Sequence, residues 1–144
     1  MAAKTPTTRA TGPRLEIRGT GGLLDGTQHV LDAGETLVIG RSRSCDLSLR
    51  KTKAFGRRAD VNKILGSRQF NRVSRIHCEI ELRKDGQVQI RDLSKNGTFV
   101  DGVRVGRSHL MRLADGRATV ELVDGTWGKL LLTEVAAPRG DAAA

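Results

Sequence analysis

Asp-Gly and Asn-Gly dipeptides recur along this chain of 144 residues and separate short apolar runs. Such dipeptides favour the tight turns that join antiparallel strands, because both of their residues tolerate positive φ. They occupy positions 25–26, 85–86, 96–97, 101–102, 115–116 and 124–125. The intervening segments form about ten short strand patterns, with no convincing long helical pattern among them. The sequence therefore predicts an antiparallel β-sandwich.

Alternation of apolar and polar residues is clearest on either side of the Asp-Gly turn at 85–86. It predicts that Cys78, Ile80 and Leu82 face the core, and that Val88 and Ile90 do so on the returning strand. The chain has two cysteines, which is too few for a disulfide framework, and a reduced core thiol is the expected state of Cys78.

Composition divides the chain into one folded unit and two tails. Residues 14–135 are expected to form a single domain, whereas 1–13 and 136–144 are rich in Ala, Thr, Pro and charge and are expected to be disordered. No run approaches the ~20 apolar residues of a membrane span, and no secretory leader opens the sequence. We therefore expect an intracellular, monomeric domain with no membrane partner.

A basic segment, residues 50–72, interrupts the strand pattern. It holds eight Lys or Arg and one acid, a net charge of +7 within a chain of net charge +9. We interpret it as a loop insertion, with a possible helical turn at Val61, Ile64 and Leu65. Such charge favours anionic partners, so a nucleic-acid-binding β-domain is the alternative function. Aromatic residues make up 3% of the chain, and this scarcity weakens that alternative for single strands.

Polar groups stand where three apolar strands give way to loops. Arg41 follows the third strand pattern, Ser74 and Arg75 precede the fifth, and Asn96 lies in an Asn-Gly turn. A guanidinium, a hydroxyl, an amide and turn N–H groups are the donors that a phosphorylated side chain requires. These loops are predicted to meet at one end of the sandwich and to close around one anion. Arg41 is expected to be exposed and to contribute little to folding.

Catalysis and metal binding find little support in the same residues. Ser74 and His77 are three residues apart, but no acid is an obvious orienter and no nucleophile elbow is present. The three histidines, His29, His77 and His109, lack metal-ligand spacing. We therefore expect neither enzymatic activity nor a cofactor.

Taken together, these motifs resemble those of the forkhead-associated (FHA) domain family. The resemblance rests on Gly40-Arg41, on Ser74-x-x-His77 and on the segment 96–102, Asn-Gly-Thr-x-Val-Asp-Gly, and it extends over residues 14–135. It implies an eleven-stranded β-sandwich that recognises phosphothreonine in partner proteins through its loop end. It also implies a setting in nuclear signalling or scaffolding.

The resemblance assigns roles to individual residues. Arg41 would pair with the phosphate, Ser74 would bond a phosphate oxygen with help from Arg75, and Asn96 would bond the peptide main chain. The supporting residues would be Gly40, His77, Gly97 and Thr98. Arg72 and Lys95 would lie beside the residue three places after the phosphothreonine, and their charges predict an acidic residue there.

Overall fold

The computed structural model describes residues 14–22, 24–52, 71–112, 117–123 and 128–135. These residues contain eleven strands: β1 (Arg14–Gly22), β2 (Gln28–Asp32), β3 (Thr36–Gly40), β4 (Leu47–Ser48), β5 (Cys78–Leu82), β6 (Gln87–Asp92), β7 (Thr98–Val100), β8 (Val103–Arg104), β9 (Ser108–Arg112), β10 (Ala118–Leu122) and β11 (Gly128–Val135). The predicted tails, the predicted helical turn and residues 53–70 of the basic segment lie outside the described residues.

The strands form two sheets. One has six strands in the order β2-β1-β11-β10-β7-β8, and the other has five in the order β4-β3-β5-β6-β9. The paired strands with a described register run antiparallel except β3 and β4, which are parallel. The predicted all-β sandwich of about eleven strands is confirmed.

Apolar side chains from both sheets fill the space between them. The predicted inward residues Cys78, Ile80, Leu82, Val88 and Ile90 are all fully buried. Their burial follows from the two-residue period of a strand, which sends alternate side chains into the core. Other large, fully buried side chains come from β1, β3, β10 and β11, namely Leu15, Ile17, Ile39, Leu122 and Leu130.

The Asp-Gly turn between β7 and β8 adopts the backbone geometry that its sequence favours. Asp101 and Gly102 have φ values of +50° and +85°, so both central residues of the β7–β8 turn are left-handed. A two-residue turn of this kind matches the twist of the flanking strands.

Strand β9 was not predicted from the sequence. Its side chains are exposed except that of Met111, which is partly buried against the core. An edge strand with little burial on either face shows no clear apolar alternation, so periodicity does not reveal it.

Strand direction determines which loops share an end of the sandwich. Thr98, at the start of β7, pairs with Leu122, at the end of β10. At the opposite end of the sandwich, Arg14 at the start of β1 pairs with Val135 at the end of β11. Within the described part of the chain, no helix is long and apolar enough to cross a membrane.

Candidate functional site

Three loops meet at the end where β3 and β6 finish. They are the β3–β4 loop containing Arg41, the part of the β4–β5 connection just before His77, and the β6–β7 loop containing Asn96. Hydrogen bonds join the second loop to each of the other two, as follows. The predicted convergence of the three loops is therefore seen in the structure.

Arg41 is fixed to the β4–β5 connection by backbone and side chain. Its N–H donates to the Ser74 carbonyl at 3.0 Å, and its Nε donates to the Val73 carbonyl at 2.7 Å. The residue is partly buried, and it has a further interaction beyond these two. The expectation of an exposed arginine is thus wrong, because the side chain is partly buried and its guanidinium bonds a loop 32 residues away in sequence.

Gly40 permits this approach because its neighbours leave no room for a side chain. A Cβ at position 40 would lie 2.1 Å from the Arg75 carbonyl oxygen and 2.9 Å from the His77 nitrogen. Both neighbours are backbone atoms, which cannot rotate away. The carbonyl of Gly40 also accepts a hydrogen bond from the Leu49 N–H at 3.0 Å. Gly40 therefore allows the close contact between the first two loops.

Ser74 connects the second loop to the third. Its Oγ accepts a hydrogen bond from the Lys95 N–H at 3.1 Å. A serine hydroxyl has one donor and two acceptor sites, so this contact leaves its O–H hydrogen able to point elsewhere. The arrangement is suited to donation toward an anion outside the loops.

His77 is buried beneath these loops with both ring nitrogens bonded. The Ser74 N–H donates to Nδ1 at 3.1 Å, and Nε2 lies 2.8 Å from the Gly97 carbonyl oxygen. Since Nδ1 accepts, the proton of the neutral ring belongs on Nε2, which donates to Gly97. Burial lowers the pKa of His77, although the Gly97 carbonyl and the nearby Asp92 carboxylate oppose that effect.

Asn96 makes a second connection between the same two loops. Its Nδ2 donates to the Arg72 carbonyl at 2.8 Å. This contact orients the amide, so that its oxygen, which has no hydrogen-bond partner among the described residues, is the group available as an acceptor. Arg72 itself is in helical conformation and partly buried.

The remaining predicted cations lie at the rim. The side chains of Arg75 and Lys95 are exposed. The main chain of Arg75 is nevertheless held, since its carbonyl accepts from the Ser42 N–H at 3.0 Å and from the Cys45 thiol at 3.2 Å. Two of the three loops therefore carry additional basic residues. They are Arg72 and Arg75 in the β4–β5 connection and Lys95 in the β6–β7 loop.

Asp92 organises the third loop, and sequence reasoning missed it. Its Oδ1 accepts from the Ser94 N–H at 3.0 Å, from the Ser94 hydroxyl at 2.6 Å and from the buried Thr98 hydroxyl at 2.9 Å. The Ser94 Oγ in turn accepts from the Gly97 N–H at 2.8 Å. The segment Asp-x-Ser before Asn-Gly was a usable signal, because Asp and Ser side chains at a strand end commonly bond the backbone two residues on. The Thr98 hydroxyl thus ties the start of β7 to Asp92.

Val123 was also missed, and it supports the same loop from the neighbouring strand. Its N–H donates to the Gly97 carbonyl at 2.9 Å, so that carbonyl receives donors from Val123 and His77. Val123 is buried with φ at +68°, a strained conformation for a β-branched residue. Gly97 itself has φ at +105°, which only glycine adopts readily. Nothing in the sequence pattern marks a valine for this conformation.

The geometry brings polar and basic side chains of three loops together at one end of the sandwich. Among the described residues, no group of three or more His, Cys, Asp or Glu side chains is placed to hold a metal ion. The family model for the FHA domain matches residues 37–118, more than half of the chain. The chain therefore belongs to the FHA domain family, whose members are protein-interaction modules that generally bind phosphothreonine peptides.

Known proteins show the same fold at low sequence identity. An FHA domain of an Arabidopsis thaliana hypothetical protein has a TM-score of 0.62 and 21% identity, covering 90% of this chain and 92% of its own. The FHA domain of Chlamydia trachomatis CT664 has a TM-score of 0.61 and 23% identity, covering 85% and 99%. The N-terminal FHA domain of Saccharomyces cerevisiae Rad53p, solved with a phosphothreonine peptide, has a TM-score of 0.53 and 18% identity, covering 83% and 91%.

A similarity in sequence concerns a much longer protein. The chain is 33% identical over 69 residues to the Saccharomyces cerevisiae serine/threonine-protein kinase RAD53. The matched part is 48% of this chain and 8% of the kinase, so the similarity concerns a small part of that protein.

Proposed function

We propose that this domain binds threonine-phosphorylated protein segments at the three-loop site and has no catalytic activity. The observation that carries the proposal is the hydrogen-bonded joining of Arg41, Ser74 and Asn96, which come from three separate loops. Each is held in place by a hydrogen bond to a neighbouring loop. A phosphothreonine peptide bound to an FHA domain of Rad53p provides independent support.

Arg41 and Ser74 would hold the phosphate. A guanidinium pairs well with phosphate oxygens, and a phosphorylated hydroxyl carries about −1.5 to −2 charges at neutral pH. The Val73 contact fixes the plane of the guanidinium, so less side-chain entropy is lost on binding. Ser74 would donate its O–H to a second phosphate oxygen, and Arg75 would add a cation at the rim.

Asn96 would recognise the peptide main chain. Because its Nδ2 is engaged with Arg72, its Oδ1 would accept from a peptide N–H next to the phosphothreonine. Main-chain recognition is independent of the partner's sequence and fixes where the peptide lies.

The expected affinity is modest. Three or four charge-assisted contacts of about 1.5–3 kcal/mol each amount to about 5–10 kcal/mol before the costs of association and ordering. A roughly micromolar dissociation constant follows. Selection of one partner would then need contacts outside the phosphate.

Arg72 and Lys95 would supply one such contact. The Arg72 carbonyl accepts the hydrogen bond from Asn96, and Lys95 directly precedes Asn96 in the chain. Both side chains are cationic. They would favour an acidic residue three places after the phosphothreonine.

The choice between peptide and nucleic acid can be tested directly. Matched peptides that carry threonine or phosphothreonine, and a duplex DNA, would be titrated by fluorescence polarisation at two salt concentrations. We expect binding of the phosphorylated peptide alone. Equal binding of both peptides would overturn the proposal, and DNA binding that weakens steeply with salt would favour the alternative based on the basic segment 50–72.

A nuclear setting remains a prediction, based on the family resemblance and on the basic charge of the chain. FHA domains are not confined to nucleated cells, since one from the bacterium Chlamydia trachomatis shares the fold. Fractionation of cells that produce the protein would test it.

A further inference from the structure

Arg104 lies against the phosphopeptide site, although it was not among the predicted site residues. It is on β8, opposite Phe99 of β7. A Cβ at Gly97 would be 2.9 Å from Arg104 Nε and 3.2 Å from its Cζ, so the guanidinium covers the loop immediately after Asn96. An exposed cation therefore stands at the rim of the site, on a strand and not on a loop.

The charge of Arg104 is not neutralised by another side chain in the described part of the chain. Arg14 is paired with Asp32 there, and Arg91 with Glu79 and Glu81, whereas no ion pair among those residues includes Arg104. An unpaired guanidinium next to a proposed anion-binding site attracts a further negative group.

Beside Arg104 the space between the two sheets opens to solvent. Strands β8 and β9 are the last strands of their sheets on this side. Val103 lies opposite buried Val100, and His109 lies opposite buried Ile90, so both face the space between the layers. Val103 is nevertheless 70% exposed, because no further strand covers it.

These residues form an open cavity of about 320 Å³, here called the flank cavity, lined by Val100, Asp101, Val103, Arg104, Val105 and His109. Its apolar surface comes from three valines, of which two are buried. Arg104 contacts the site loop at Gly97 and is also among the residues that line this cavity. The flank cavity therefore adjoins the proposed peptide site.

We propose that the segment flanking the phosphothreonine crosses Arg104 and enters the flank cavity. An acidic group of that segment would lie at Arg104, and a neighbouring apolar side chain would cover Val103. A second copy of this chain suits the surface less well, because it would bring a net charge of +9 against the same charge. The inference rests on the proposed phosphothreonine function and adds a second determinant of specificity to it.

The test uses 15-residue peptides with a central phosphothreonine, in which each other position is set in turn to Ala, Asp or Leu. Affinities would be measured by fluorescence polarisation for the wild type, R104A and V103D, with V103S as a milder apolar-to-polar change. R112A is the matched control, since Arg112 is also exposed but pairs with Gln87 at the far end of β9. Thermal melts would verify that each variant is folded.

We expect the wild type to bind more tightly when the peptide carries Asp at either of two separate positions. Leu next to one of those positions should also increase the affinity. At the Asp position beside the favoured Leu, R104A would reduce the gain in affinity by about two- to fivefold. The gain in affinity from Asp at the other position would be unchanged. V103D and V103S would reduce the gain from Leu. R112A would lower the affinity for all peptides slightly and equally.

Three results would contradict the inference. They are equal effects of R104A and R112A, a preference for Asp at one position only, and a dimer in sedimentation that V103D dissociates. If the wild type does not distinguish phosphorylated from unphosphorylated peptides, the proposed function itself fails. If the wild type binds phosphothreonine peptides but lacks the second preference, only the present inference fails.

Discussion

The backbone N–H of Ser74 donates to Nδ1 of His77 at 3.1 Å, whereas the Ser74 hydroxyl bonds to the third loop. The imidazole is therefore not placed as the general base that a serine nucleophile requires. With its other nitrogen it holds the Gly97 carbonyl. One buried ring thus fixes two loops, and the Ser74 hydroxyl is not bonded to it.

Protonation of His77 should destabilise the free domain. Its folded-state pKa is lowered from 6.5 by burial, so the unfolded chain binds more protons below that pH. The contribution to stability is complete above about pH 6.5 and is lost as the pH falls. Urea unfolding of the ligand-free protein at several pH values should show this loss.

His29 contributes to the same pH dependence, because burial also lowers its pKa. We expect H29Q to reduce the slope of the unfolding free energy against pH. H77Q should also reduce this slope and should in addition lower stability at neutral pH. An unchanged slope in H77Q would show that the ring is not held neutral.

Loss of the Arg41 side chain should affect both binding and folding. R41A should abolish selectivity for the phosphorylated peptide and lower the free energy of unfolding by about 0.5–1.5 kcal/mol, the usual contribution of one hydrogen bond. R41K retains the charge but lacks the planar fork, so it should recover little binding. Wild-type selectivity in R41A would refute the assignment. Calorimetric titration and urea unfolding measure the two effects.

Gly40 should not tolerate a methyl group. In G40A the Cβ would overlap the Arg75 carbonyl, and separation of β3 from β5 should cost about 1–3 kcal/mol and weaken peptide binding through the shifted Arg41. Gly106 is the control, because a Cβ there meets nothing within 4 Å. Comparable losses in G40A and G106A would mean that the close approach is not the cause.

The Thr98 hydroxyl should stabilise the domain through Asp92. T98V keeps the shape of a fully buried side chain but removes a hydrogen bond to a carboxylate, which should cost about 1.5–3 kcal/mol. T119V, on a less buried position of β10, should cost much less. Equal unfolding free energies for T98V and the wild type would contradict the bracing role.

Charge reversal at Arg72 and Lys95 should change peptide preference and not the phosphate requirement. The R72E/K95E protein should lose its preference for an acidic residue three places after the phosphothreonine and should prefer a basic one. It should still reject the unphosphorylated peptide. An unaltered preference at that position would exclude the two residues as its determinants. Library binding by fluorescence polarisation provides the measurement.

Sequence reasoning was most effective where one local rule determines the outcome. Strand alternation identified Ile80 and Val88 as core residues. Contacts between distant segments were out of reach: the Arg41–Val73 bond and the donation from Val123 to Gly97 depend on packing between strands. Arg104 carries no local signal either, since its place beside Gly97 follows from the β7–β8 register.

The adjacent outer ends of β1 and β11 have a consequence for how the domain is tethered. Arg14 and Val135 pair at the end of the sandwich opposite the proposed phosphopeptide site. Strands β1 and β11, of nine and eight residues, span about 26–30 Å between that end and the loop end. Flanking sequence can thus anchor the domain while its binding loops point away from the anchor.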